Sequence, residues 1–304
     1  MLLHIDDIVK MHKNYPFPKE ITDIRNHITD AFKDLRFDPV PHKYYVPTGK
    51  LDPNGNPIEM CLESATTFLK RFEQPVDWDQ KARDKAIRTG STYEAIKREW
   101  DETKIIAANN GTSTHLFLES YMWFFLGMPE RIDPVILPQY ESGYLVPYGP
   151  KQEAGVKYFE RIYNTINSND PFKKYPVMPE TKMYIFEDNP FGITDRIAGT
   201  MDILLAFCDV NGWNLICDDW KTNKSLYNDY NRTYQVAMCY PFDDYIDEAY
   251  GHYTLQLSAY TLMLRQLNYR VPYRNLVWLK DDGNFERIKI NDLSDRFITY
   301  DREI

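Results

Sequence analysis

Residues 199–221 read GTMDILLAFCDVNGWNLICDDWK, two apolar runs separated by the turn-forming DVNG. Runs of this length with a turn between them predict paired strands over 197–207 and 213–221. Each run carries acid. Asp202 sits inside the first, and Asp219 and Lys221 stand two apart at the end of the second. Side chains alternate along a strand, so Asp219 and Lys221 share one face while Asp218 and Trp220 take the other. If the two strands pair, two carboxylates and one amine converge. Two carboxylates with waters and a phosphate oxygen suit Mg²⁺, a hard cation that keeps much of its hydration. A neighbouring lysine can orient a water or stabilise charge on phosphorus. The acid-x-Lys pattern alone says little, since it recurs at Asp79–Lys81, Glu102–Lys104 and Glu180–Lys182. Only at Asp219–Lys221 does it end an apolar strand that follows another strand carrying an acid.

Working outward, 181–187 predicts a further strand, 249–267 an amphipathic helix, and 274–280 with 285–290 a closing hairpin across DDGN. The second half is therefore β-β-β-α-β on a mixed sheet. Upstream, Ile21, Ile24, Ile28, Phe32 and Leu35 recur at helical spacing over 17–36, and 42–60 reads as a hairpin around LDPNGNP. Ser64 or Thr66 is placed to cap a helix through Phe72. Residues 78–107 predict one or two solvated helices, interrupted by GTS at 111–113, with another helix from Thr114 to Leu126. The Pro- and Gly-containing stretch 129–151 reads as a loop and 152–167 as a helix. This organisation suggests a helical and hairpin region over 1–110 packed on a core over 111–304, with 222–250 as an insertion.

Further polar pairs flank the strands. His115 and Glu119 lie four apart on one helix face, where they form either an ordinary surface pair or a metal-ligating imidazole beside an acid. Gln256 and Tyr260 repeat that spacing on the helix after the strands. They serve either as the polar edge of a packing helix or as contacts to a phosphate, a water or Lys221. The Tyr- and Asn-rich stretch 222–250 is either a structured surface excursion or a flap over nucleic acid, with tyrosines to stack on bases and Lys224 and Arg232 to meet phosphates.

Composition narrows the classes. The 304 residues carry a formal net charge of −9, which excludes binding of nucleic acid through a diffuse positive field. The four cysteines, Cys61, Cys208, Cys217 and Cys239, form no CxxC pair, so neither a zinc ribbon nor an iron–sulfur cluster is expected. No run reaches the ~18 apolar residues of a membrane span, and no secretory leader is evident, so a cytoplasmic location follows by default. No GxxxxGK[ST], GxGxxG or GxSxG occurs.

The order GTxxHxxxE (111–119), Glu180, GTMD (199–202), DDWKT (218–222) and QLxxY (256–260) resembles the RecB-like branch of the PD-(D/E)XK nuclease superfamily over about residues 111–280. A fainter likeness upstream lies in His42-x-Tyr44 and SATTFL at 64–69. The resemblance implies an α/β PD-(D/E)XK fold, a central mixed sheet flanked by helices, with the helical N-terminal region as one wall of a DNA channel. It implies His115, Asp202 and Asp219 as ligands of Mg²⁺ or Mn²⁺, with the Trp220 carbonyl as a further ligand. Lys221 would position or activate the attacking water, Gln256 would orient Lys221 or the DNA, and Tyr260 would support it. Glu119 and Glu180 would be accessory. Met201 stands where the family name writes proline, and the four-cysteine iron–sulfur clasp of some relatives is absent. The implied activity is a metal-dependent deoxyribonuclease, an exonuclease at free DNA ends acting with or without a recombination or replication partner. An endonuclease on the same core, or a non-catalytic binding subunit, are the alternatives.

Overall fold

A computed structural model describes residues 2–168 and 170–303. The chain opens with helices α1 (Ile5–Asn14) and α2 (Lys19–Ala31). Strands β1 (Arg36–Asp38), β2 (Lys43–Leu51) and β3 (Pro57–Ser64) follow, then helices α3 (Ala65–Leu69), α4 (Trp78–Thr89) and α5 (Tyr93–Phe125). A short ribbon of β4 (Tyr140–Glu141) and β5 (Tyr144–Leu145) leads to α6 (Pro150–Ile166). Strands β6 (Tyr175–Tyr184), β7 (Ile197–Asp209) and β8 (Gly212–Lys221) precede helices α7 (Asp229–Thr233) and α8 (Ala249–Arg265). Strands β9 (Tyr273–Leu279) and β10 (Phe285–Lys289) and helix α9 (Ser294–Glu303) close the chain.

The main sheet runs β1-β2-β3-β7-β8-β9-β10, with β6 also paired to β7. It is mixed: β3–β7 and β8–β9 are parallel and the other pairs antiparallel. Alternation along β7 and β8 explains the layers. Leu204, Ala206, Leu215 and Cys217 face a core shared with α2, α3, α8 and α9. Ile203, Leu205, Phe207 and Ile216 face a second core with α1, α5 and α6. Strands covered on both faces need apolar residues at nearly every position, which is why these two read as continuous runs.

Two local expectations change. Gly111-Thr112-Ser113 does not interrupt anything: α5 runs 33 residues through it, and so across residue 110, where the sequence suggests a boundary. A mid-helix glycine costs only about 1 kcal/mol against alanine. Eight of the ten residues Leu116–Phe125 at the C-terminal end of α5 pack in or against the second core, and that burial offsets the cost. The strand expected at 181–187 begins at Tyr175 and ends at Tyr184. Its Pro176 and Pro179 are admissible because β6 pairs with β7 alone, and an edge strand accommodates residues that lack an N–H. The 42–60 hairpin forms, and it extends the main sheet through Glu63↔Ile197 and Ser64↔Ala198. Within 222–250, Leu226, Met238 and Phe242 are buried in the α8-side core, so this stretch is a structured excursion anchored to the sheet. Among the described residues, no helix is long and apolar enough to cross a membrane.

Candidate active site

Strand register assembles the acids. Ile203 pairs with Asp218, which sets Asp202 across from Asp219. Pro179↔Ile203 and Thr181↔Met201 bracket Glu180, which sets it across from Asp202 on the other side. Glu180, Asp202 and Asp219 thus form a row across β6, β7 and β8. Glu180 adopts φ 44°, a left-handed conformation strained for a residue with a side chain. From α5, His115 Nδ1 lies 3.3 Å from Asp202 Oδ1. One ligand atom each from His115, Glu180 and Asp202 lie within 4.8 Å of one another. The other Asp202 oxygen accepts a hydrogen bond from the Trp220 amide at 2.7 Å. The Trp220 ring is buried on the opposite face against Tyr158 and Phe159, so the backbone that pins Asp202 is itself held by the second core.

Lys221 is set beside this row. Its ammonium pairs with Asp219. It also donates to Gln256 Oε1 at 3.3 Å, and Gln256 Nε2 donates to the Tyr260 hydroxyl at 2.9 Å. The ammonium further lies 3.9 Å from the centroid of the Tyr253 ring, a cation–π contact. Tyr253 is in turn fixed by donating to Asn223 Oδ1 at 2.8 Å. Sequence reasoning missed Tyr253, although it stands three residues before Gln256 on the same helix face, a spacing that could have shown it. Gly199 is required by this arrangement, because a Cβ there would come 2.5 Å from Tyr260 Cε1. Gly199→Ala is expected to displace Tyr260 from Gln256 and lower stability by about 1–3 kcal/mol, as overpacking does. A thermal melt beside wild type checks this, and an unchanged midpoint would refute it.

The electrostatics follow from setting His115 and Lys221 against this row of three carboxyls, of which Asp202 and Asp219 are buried and Glu180 half-buried. Burial and then the Asp202 and Glu119 charges push the Glu180 carboxyl up to about 8. Burial and then Asp202 push Asp219 up to about 7, against the pull of Lys221. Burial would also raise Asp202, but the adjacent His115 outweighs it and holds this carboxyl at about 2. Burial opposes a charge on His115, yet Asp202 lifts its pKa to about 9. Lys221, likewise buried, is raised by Asp219 and stays a cation. Glu119 is raised chiefly by burial. Without a cation the row therefore holds protons near neutrality. A divalent ion would take the place of that positive charge. Two carboxylates and an imidazole fit Mn²⁺ as well as Mg²⁺, because oxygen suits both and imidazole favours the transition metal.

The remaining positions sort by geometry. Glu119 lines the same cavity of about 490 Å³ as His115, Glu180, Asp202, Gln256 and Tyr260. Glu180 joins His115 and Asp202 as a possible ligand, whereas Asp219 is engaged by Lys221. Lys224 is exposed. Arg232 is committed to Glu248, with Nε and Nη2 contacts of 2.8–3.1 Å, and its guanidinium lies 4.0 Å from the Tyr227 centroid. Asp218, on the other face as alternation requires, is fully buried and accepts from Tyr158, Asn275 and Arg287, which makes it part of the scaffold. No protein-family model matches the chain, and no curated protein matches it.

Proposed function

We propose that this chain is a Mg²⁺- or Mn²⁺-dependent deoxyribonuclease on a PD-(D/E)XK-type core of the RecB-like branch, an exonuclease at free DNA ends in the cytoplasm. The observation that carries the reading is the buried Lys221, held by Asp219, Gln256 and Tyr253 next to the His115–Glu180–Asp202 cluster. A lysine kept charged beside three potential metal ligands is costly to bury and suits a reaction that builds negative charge on phosphorus. His115, Glu180 and Asp202 would hold the cation, which when bound supplies Lewis-acid neutralisation of the phosphate charge.

The chain's own groups supply the rest. A water attacks phosphorus in line, the bond to the leaving oxygen breaks, and the water's proton ends on that oxygen or in solvent. Lys221 is paired and protonated, so it orients the water and stabilises the phosphorane and does not act as a base. Gln256 and Tyr260 fix the ammonium in direction. No covalent intermediate with the protein is needed. DNA with a free end is the partner, with a recombination or replication protein as a second one.

The test uses linear DNA labelled at either end, single- and double-stranded, beside a closed circle, in Mg²⁺, in Mn²⁺ and in EDTA. Metal-dependent loss of the linear forms with the circle intact is expected. Cutting of the circle would replace the exonuclease with an endonuclease, and no cleavage with either metal would overturn the reading.

A further inference from the structure

We infer that the cavity in front of the His115–Glu180–Asp202 cluster carries a base-stacking subsite, built by Phe37 and His42, for an unpaired nucleotide adjoining the phosphate to be cut. The inference rests on the nuclease reading and adds to it a substrate class: a single-stranded or frayed end.

The same cavity of about 490 Å³ reaches from the acids to a cluster of rings at the β1–β2 turn. Phe37 and His42 meet edge to face with centroids 5.0 Å apart, and Phe37 lies 4.8 Å from Tyr44. Tyr44 is buried and its hydroxyl is hydrogen-bonded to Thr200 Oγ1 at 3.0 Å, so it is a fixed backing. Phe37 is half-buried and His42 exposed, which leaves ring surface toward the cavity. His42 adopts φ 52°, again left-handed and strained for a residue with a side chain. Such strain persists only where surrounding structure imposes it, and it collects at ligand clamps.

Charge decides what this end of the cavity can recognise. Among its described lining residues there is no lysine or arginine. A phosphate would therefore be held at the cation end alone. The ring end, with the hydroxyls of Ser64 and Thr66 beside it, suits an uncharged base and sugar. Aromatic rings recognise a base by stacking, worth about 1–3 kcal/mol each. A base enters such a cavity only after leaving its duplex.

The experiment measures fluorescence anisotropy of a short labelled single strand with Ca²⁺ in place of Mg²⁺, so that binding is read without cleavage. The strand is used intact and with an abasic residue at either end. One abasic strand is expected to bind about tenfold more weakly than the intact one, the loss that stacking of this size implies. Phe37→Leu and His42→Ala should weaken the intact strand by a similar factor and leave that abasic strand unaffected. Phe37→Leu keeps apolar packing on Tyr44, and Phe37→Trp should restore binding. Equal affinity for intact and both abasic strands, absent binding of the intact strand, or variant losses that are the same on all strands would overturn the subsite. A cycle that closes as expected while wild type fails to cleave in Mg²⁺ or Mn²⁺ would instead overturn the nuclease reading and leave the subsite standing.

Discussion

Lys221→Met should cleave linear DNA about 10²–10⁴-fold more slowly than wild type, the range over which removal of a positioned proton-handling or charge-stabilising group is felt. The chain should remain folded. Breaking a buried ion pair usually costs about 3–5 kcal/mol, because the abandoned charge has no solvent to return to. Asp219 is only 1% exposed and would be left alone. Its carboxyl, however, already stands at about 7 through burial and Asp202, so losing Lys221 lets it take up a proton and become neutral. The substitution then removes a charge from the reaction without stranding one in the core. Single-turnover cleavage in Mg²⁺, read beside a circular-dichroism melt, separates the two effects. Cleavage within tenfold of wild type would remove Lys221 from the chemistry. A collapsed melt would mean that Lys221 holds the sheet end together.

The difference between what the sequence disclosed at this site and what it hid is physical. Asp202, Asp219 and Lys221 were legible because two-residue alternation and an antiparallel turn suffice to bring them to one face, and the structure brings Gln256 to Lys221 as helical spacing allows. Gln256 and Tyr260 are linked directly at i,i+4. The place of Glu180 beside His115 is not readable from pattern, since it depends on an edge strand whose prolines and left-handed φ lie outside regular periodicity. The Arg232–Glu248 pair is hidden in the sequence, because Glu248 lies sixteen residues on, across a loop with no period to read. The uninterrupted α5 was hidden for the opposite reason. Gly-Thr-Ser is a genuine local breaker signal, and tertiary burial of the residues after it overrides the signal. The mixed sheet between helical layers is readable from β7 and β8, whereas the three-residue β1 is too short to show alternation and the parallel β3–β7 junction is a long-range pairing that no local pattern announces.

The metal-free chain should lose stability as pH rises from about 5 to 9, and Mn²⁺ should increasingly reverse that loss. Glu180 gives up its proton near 4.5 when unfolded and at about 8 when folded. Between those values the folded state binds the extra proton, so each pH unit lowers its stability by about 1.4 kcal/mol. Asp219 acts in the same sense from 3.8 to about 7. His115 is a cationic group with a raised pKa. Its contribution is complete below 6.5 and is lost as pH climbs through about 9, again the same direction. Asp202 is the opposite case, since its stabilisation is present above 3.8 and vanishes only as pH falls through about 2, outside this window. A divalent ion binds the deprotonated ligands, so its stabilisation grows with pH as it displaces those protons. Thermal melts at about pH 5.5, 7 and 8.5, in EDTA and in Mn²⁺, should show midpoints that fall with pH in EDTA and a metal increment that rises. Glu180→Gln, which cannot titrate, should lose the steepest part of the slope. A flat or rising profile in EDTA would mean that the three acids are tolerated without protons or metal, and the row would then be scaffold. The expected profile would mean that the fold keeps these acids together at a cost that protons offset at low pH and a bound cation at high pH, which ties the stability of the sheet end to the ion that the proposed chemistry needs.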